Sequence, residues 1–173
     1  MNNVILVGYM GCGKTTIGKH LARIGKYRFV DTDEEIETQQ GRSIRDIFAT
    51  EGEAAFRDME TAYLEELLLQ EKTGMVLSTG GGMPLRERNR ELLQRLGTVI
   101  YLKTKPETVY ERVKGDTKRP LLQCENPLAR IREMLEKRGP LYDEAAHFII
   151  EADALKQGEI AEMICEMVKN QRR

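Results

Sequence analysis

The stretch Val4-Ile5-Leu6-Val7-Gly8-Tyr9-Met10-Gly11-Cys12-Gly13-Lys14-Thr15-Thr16 decides how the chain is read. Its first four residues are an unbroken apolar run, the signature of a strand covered on both faces. The stretch from Gly8 to Thr15 matches G-x-x-x-x-G-K-[ST] at every fixed position. Glycines there open backbone angles closed to other residues, so successive N–H groups can ring a phosphate at the start of a helix. Gly11, Cys12, Gly13, Lys14, Thr15 and Thr16 are the expected contacts to the phosphates of a nucleotide, whose identity the loop leaves open. Lys14 would reach the β- and γ-phosphates, and the Thr15 hydroxyl would be a ligand for Mg²⁺. A glycine turn that merely joins strand to helix is the bland alternative. Cys12 reads as a small side chain whose backbone does the work, with a thiol open to modification.

The rest of the chain repeats the strand–helix alternation. A helix from about Lys14 to Ile24 follows the loop, and Arg28–Val30, Met75–Ser78, Thr98–Leu102 and Phe148–Ile150 read as further strands. Thr32-x-x-Glu35 and Thr50-x-x-Glu53 look like capping boxes that open helices. The second of these helices carries Ala55, Phe56, Met59, Tyr63 and Leu67 on one face. The expected fold class is therefore α/β, a three-layer α/β/α arrangement around a parallel sheet.

Composition narrows the function classes. The 173 residues include 27 Lys+Arg and 28 Asp+Glu, a net charge of −1. That balance disfavours a general nucleic-acid binder but leaves room for a local cationic pocket. No apolar run approaches the roughly 20 residues of a membrane span. With a polar start at Met1-Asn2-Asn3 no signal peptide is expected, and three scattered cysteines make no disulfide framework, so the cytosol is the simplest compartment. His20 and His147 lack metal-ligand spacing. A base-reading Asn-Lys-x-Asp is absent, which argues against a GTPase, and the length suits a small-molecule kinase.

Ligands of open parallel sheets bind beyond the carboxyl ends of the strands, and three unusual clusters fall at such ends. The phosphate loop follows the first strand, Asp31-Thr32-Asp33 the second, and Thr79-Gly80-Gly81-Gly82 the third. Asp31 and Asp33 suit a metal-side carboxylate and a base near an acceptor hydroxyl, or else simple helix caps. Arg57 and Glu60 have the spacing of an i,i+3 pair, for which a surface pair is the plain reading. Arg119, in a basic glycine-containing segment, suits a mobile lid. Arg138 is expected near a helix end.

Taken in order, Gly8–Thr15, Asp31-Thr32-Asp33, Phe56-Arg57, Gly80-Gly81-Gly82, Arg119-Pro120-Leu121-Leu122 and Arg138-x-Pro-Leu-Tyr142 resemble the shikimate kinase family. Gly41-Arg42-Ser43-Ile44 with Asp46-Ile47-Phe48 resembles that family's substrate-binding segment. The likeness runs from about Asn3 to Ile150, and Met10 stands where many members carry proline. It implies the P-loop fold of nucleoside monophosphate kinases, with a five-stranded parallel sheet in the order 2-3-1-4-5. Residues 1–173 would form a single kinase domain, with a substrate-binding region at about 32–61 and a lid at about 112–124.

The activity implied is transfer of the ATP γ-phosphoryl group to the 3-hydroxyl of shikimate, towards chorismate and the aromatic amino acids. Asp33 would orient or deprotonate the acceptor, with Lys14 and Arg119 as the other catalytic groups. Arg57 and Arg138 would hold the carboxylate, and Glu60 would position Arg57. The Gly80, Gly81 and Gly82 backbone would complete the pocket, walled by Phe48 and Phe56. Thr15 and, through water, Asp31 would hold Mg²⁺, and Arg112 would lie against the adenine. The enzyme is expected to be a monomer that binds small molecules and neither nucleic acid nor membrane. A kinase of gluconate or of a nucleotide is the nearest alternative, and a non-catalytic nucleotide-binding module the more distant one.

Overall fold

The computed structural model describes residues 2–116 and 123–170. Five strands, β1 (Asn3–Val7), β2 (Arg28–Asp31), β3 (Met75–Ser78), β4 (Gly97–Lys103) and β5 (Phe148–Glu151), form one sheet in the order β2-β3-β1-β4-β5. Every pairing is parallel, with Ile5 opposite Leu77 on one side and Val99 on the other. The seven helices described are α1 (Lys14–Gly25), α2 (Thr32–Gln40), α3 (Ile44–Leu69), α4 (Glu87–Leu96), α5 (Pro106–Val113), α6 (Pro127–Ala145) and α7 (Gln157–Asn170).

The twofold alternation of β1 divides the core. Val4 and Leu6 pack with Ile17 and Leu21 of α1 and Ile160 and Ile164 of α7. Ile5 and Val7 pack on the opposite face with Tyr63 and Leu64 of α3, Leu93 of α4 and Ile131 of α6. The buried amide of Asn3 ties β1 to its surroundings. It donates to Lys72 O and Leu96 O and accepts from Met75 N–H. The fold class and strand order are those expected.

Three helix boundaries depart from expectation. Thr32 does not cap α2. Asp31 does, its Oδ1 accepting from the N–H groups of Asp33 and Glu34 at 3.0 and 3.3 Å, because a carboxylate suits the positive helix end better than a hydroxyl. Thr50 does not open a helix either. Ser43 caps α3, and Thr50 donates back to Asp46 O at 2.8 Å. What interrupts α3 is Gly52, at φ 85° and ψ 173°, a conformation that suits glycine. Lastly, α6 continues through Pro140 to Ala145, so Arg138 lies inside a helix and not near its end. Pro140 and Glu136 are both on the exposed side, where the carbonyl that proline leaves unpaired can meet water.

Candidate active site

Gly13, at φ 97° and ψ 12°, is the left-handed N-cap of α1 and turns the loop into the helix. A side chain on Gly13 would also meet Gln157 of α7 at 2.8 Å. Lys14 Nζ donates to the carbonyls of Gly8 and Tyr9 at 2.6 and 3.0 Å, folded back over its own loop. Beside it opens a cavity of about 350 Å³ lined by Lys14, Thr15, Thr16, Asp31, Asp33 and the Gly80-Gly81 backbone, among others. The clusters at the ends of β1, β2 and β3 thus meet in one place. Cys12 does not line it. Its side chain is 1% exposed and packs into the α1/α7 core, which withdraws the thiol from solvent.

A second cavity, of about 660 Å³, adjoins the first and shares Met10, Asp33, Gly80 and Gly81 with it. Arg57 and Arg138 stand in its wall, from α3 and α6. The Arg57–Glu60 pair is not on the surface. The bond is 2.7 Å long, and the side chains are 12% and 0% exposed. Glu53 takes another Arg57 nitrogen at 3.1 Å. Arg138 lies 5.9 Å from the centre of the Tyr9 ring. Phe48 and Phe56, 5.3 Å apart, supply the apolar wall, with Phe56 buried and Phe48 partly open.

The electrostatics follow from burial. Removal from water pushes the Asp33 carboxyl from 3.8 up to about 6, and Asp31 adds to the rise, while Lys14 and Arg57 oppose it. Burial likewise pushes Glu60 to about 7 against the downward pull of Arg57. Asp33 Oδ1, Arg57 Nε and Glu60 Oε1 are buried and find no hydrogen-bond partner among the described residues. Three orphaned polar atoms around one cavity suit a polar ligand that would complete them.

The triple glycine acts in two ways. A Cβ on Gly80 would meet Asp33 Oδ1 at 2.5 Å, and one on Gly82 would collide with the Arg57 guanidinium. Gly80 N–H, however, is spent on the Thr32 hydroxyl at 3.1 Å, so Gly80 contributes space and not a donor. Gly81 and Gly82 keep their N–H groups without a partner among the described residues. Thr32, fully buried, thereby ties the end of β2 to the glycine turn, a contact the sequence reading missed. Its only signal was its place between two aspartates.

Arg112, at the end of α5, donates to Gly11 O at 2.9 Å and so lies over the phosphate loop. Arg119 lies outside the described residues. Arg45 and Arg130, which also line the second cavity, had no motif to mark them.

The donor set near Lys14 fits a magnesium ion. The Thr15 hydroxyl and Asp31 line the same cavity, and Asp31 Oδ2 has no hydrogen bond among the described residues, since both caps fall on Oδ1. No group of three or more His, Cys, Asp or Glu suited to a metal occurs among the described residues. Oxygen donors this sparse suit a cation that keeps waters and takes ligands from substrate phosphates.

A sequence model of the shikimate kinase family matches residues 10–169. The shikimate kinase of Ralstonia nicotianae is 46% identical over 164 residues, covering 95% of this chain and 85% of that protein. That of Neisseria meningitidis serogroup C is 48% identical over 149 residues, 86% of each chain. Among solved structures, the shikimate kinase of Acinetobacter baumannii in complex with shikimate is 43% identical. It superposes with a TM-score of 0.90 over 99% of this chain and 94% of that one.

Proposed function

The chain belongs to the shikimate kinase family, and from that premise we propose how its residues divide the work of the reaction. The protein transfers the γ-phosphoryl group of ATP to the 3-hydroxyl of shikimate, giving shikimate 3-phosphate and ADP on the route to aromatic compounds. The observation that carries the assignment of the site is the junction of the two cavities at Asp33.

ATP occupies the cavity beneath the phosphate loop, and shikimate the larger one. Arg57 and Arg138 bind the shikimate carboxylate, for which planar guanidinium groups are well shaped. Glu60 holds Arg57 in place. Asp33 accepts a hydrogen bond from the acceptor hydroxyl and takes its proton as the phosphoryl group arrives. Phosphoryl transfer requires mainly alignment and charge stabilisation. Lys14 leaves the Gly8 and Tyr9 carbonyls to meet the phosphates. Thr15 and Asp31 would hold a magnesium ion, which when bound neutralises phosphate charge.

Residues 112–124 act as a lid that brings Arg119 to the transferring group. What supports this is the packing of Val113 against Gly11, where a Cβ would fall 2.8 Å away. The last residue of α5 therefore stands beside the phosphate loop. Arg112 is poised to cover the adenine side, and residues 32–61 form the acceptor-binding region. No helix among the described residues is long and apolar enough to cross a membrane. We place the enzyme in the cytoplasm as a monomer.

The position of Asp33 near 6 gives a pH expectation. A base must be ionised to act, so kcat/KM should fall about tenfold per pH unit below roughly 6. A profile flat down to pH 5 would contradict the role of Asp33. Substrate identity is tested by ADP release with shikimate, gluconate, AMP and CMP. Turnover with shikimate alone is expected, and turnover of gluconate without shikimate would overturn the reading.

A further inference from the structure

The six carbonyls from Gly80 to Leu85 all accept hydrogen bonds, although the segment is largely irregular. Two are taken within the turn, Gly80 O by Met83 N–H and Gly82 O by Leu85 N–H, each at 3.1 Å. The other four are taken by side chains. Tyr142 donates to Gly81 O at 2.6 Å. Asn89 Nδ2 donates to Met83 O at 3.0 Å, and Arg90 Nη1 to Pro84 O and Leu85 O at 3.0 and 3.1 Å. Asn89 is itself fully buried and accepts from the Thr61 hydroxyl of α3 at 2.6 Å. A loop beside a ligand is here clamped from behind along its whole length.

Tyr142 holds the most consequential of these bonds. A trans peptide is planar, so the N–H of one residue points opposite to the carbonyl of the residue before it. The Gly81 carbonyl fixed by Tyr142 and the Gly82 N–H belong to one peptide plane. The bond to Gly81 O therefore sets the direction of the Gly82 N–H, which has no partner among the described residues. Arg138 stands one turn earlier on the same helix, and its charge acts on this hydroxyl. Burial holds its proton far above the ordinary tyrosine range, so it remains a donor at any working pH. Its ring is fully buried and rests 5.2 Å from that of Tyr101, which leaves it little freedom.

We infer that Tyr142 is a positioning residue for the acceptor substrate, its hydroxyl setting the direction of the Gly82 N–H without touching shikimate. Because Gly82 lines the larger cavity, losing the hydroxyl should free this peptide to turn and weaken its contact with the acceptor. The phosphate loop does not depend on it, so ATP binding should be spared. The inference rests on the larger cavity being the shikimate site.

The test is Tyr142→Phe, which removes the hydroxyl and keeps the packed ring. Steady-state kinetics and calorimetric titration should show the shikimate KM and Kd raised about tenfold, with the ATP constants and kcat within about threefold of wild type. A purely structural role would instead lower the active fraction and leave both KM values unchanged. Should the Tyr142→Phe protein fail to fold, Asn89→Ser releases the Met83 carbonyl of the same turn and should raise the shikimate Kd selectively. Unchanged shikimate affinity in the folded variant, or equal losses for shikimate and ATP, overturns the inference. Absence of shikimate turnover by the wild-type enzyme would instead overturn the substrate assignment itself, so the two failures are distinguishable.

Discussion

Replacing Asp33 by asparagine is expected to reduce kcat for shikimate by roughly 10³-fold, within the 10²–10⁴-fold range of positioned general bases. ATP affinity should change little, because Lys14, Thr15 and the loop backbone remain. The variant should also fold at least as well as wild type near neutral pH. Asp33 is raised from 3.8 to about 6 in the folded chain, so the native state holds its proton more tightly than the unfolded state does. Stability from this group is therefore full below about pH 4, declines as pH rises towards 6, and stays reduced above. The loss is on the order of 3 kcal/mol, and an uncharged asparagine escapes it. Lost turnover in a protein of unchanged or higher thermal stability would separate catalysis from folding. Full activity in the Asp33→Asn enzyme would refute the role given to the carboxylate.

The second large effect distinguishes two arginines that share a ligand. Arg57→Ala and Arg138→Ala should each lower kcat/KM for shikimate by about 30-fold or more, since truncating a charged partner in a desolvated site costs on the order of 2–5 kcal/mol. Only Arg57→Ala should also unfold easily. Glu60 is fully buried and bonded to Arg57 at 2.7 Å, and removing one member of a buried pair costs about 3–5 kcal/mol. Without the guanidinium the Glu60 carboxyl rises further, so the variant should lose stability as pH increases. Arg138 makes no ion pair among the described residues, and its loss should leave the melting temperature within a few degrees. Denaturant titrations at pH 6 and 8 beside the kinetics would check both statements. Equal destabilisation by the two variants would show that the Glu60 contact is not what holds Arg57.

Much of the architecture was legible because the signals were local. The apolar run Val4–Val7 followed at once by Gly8–Thr15 specified a buried parallel strand and an anion-binding turn. The three motif-bearing strand ends then had to converge once the sheet was parallel. Features that depend on partners distant in sequence were hidden. Asp31 and not Thr32 caps α2, and the Thr32 hydroxyl instead accepts from Gly80 N–H, 48 residues away. Arg138 was expected near a helix end, yet α6 runs on through Pro140, which sits where a broken backbone bond is open to water. Arg57 looked like half of a surface pair, since burial of Glu60 follows from packing that periodicity does not reveal. Asn89 and Arg90 belong to no motif, and Tyr142 closes the Arg138-x-Pro-Leu-Tyr motif without a role that the motif assigns it. Their function as holders of the glycine turn emerges only from its hydrogen bonds.

The central claim is that one junction at Asp33 aligns shikimate with ATP. A crystal structure of the complex with shikimate and a non-hydrolysable ATP analogue tests it most directly. The shikimate carboxylate should lie on Arg57 and Arg138, with the 3-hydroxyl within about 3 Å of an Asp33 carboxylate oxygen and directed at the γ-phosphoryl group. A carboxylate bound away from both arginines, or a 3-hydroxyl pointing away from Asp33, would contradict the account.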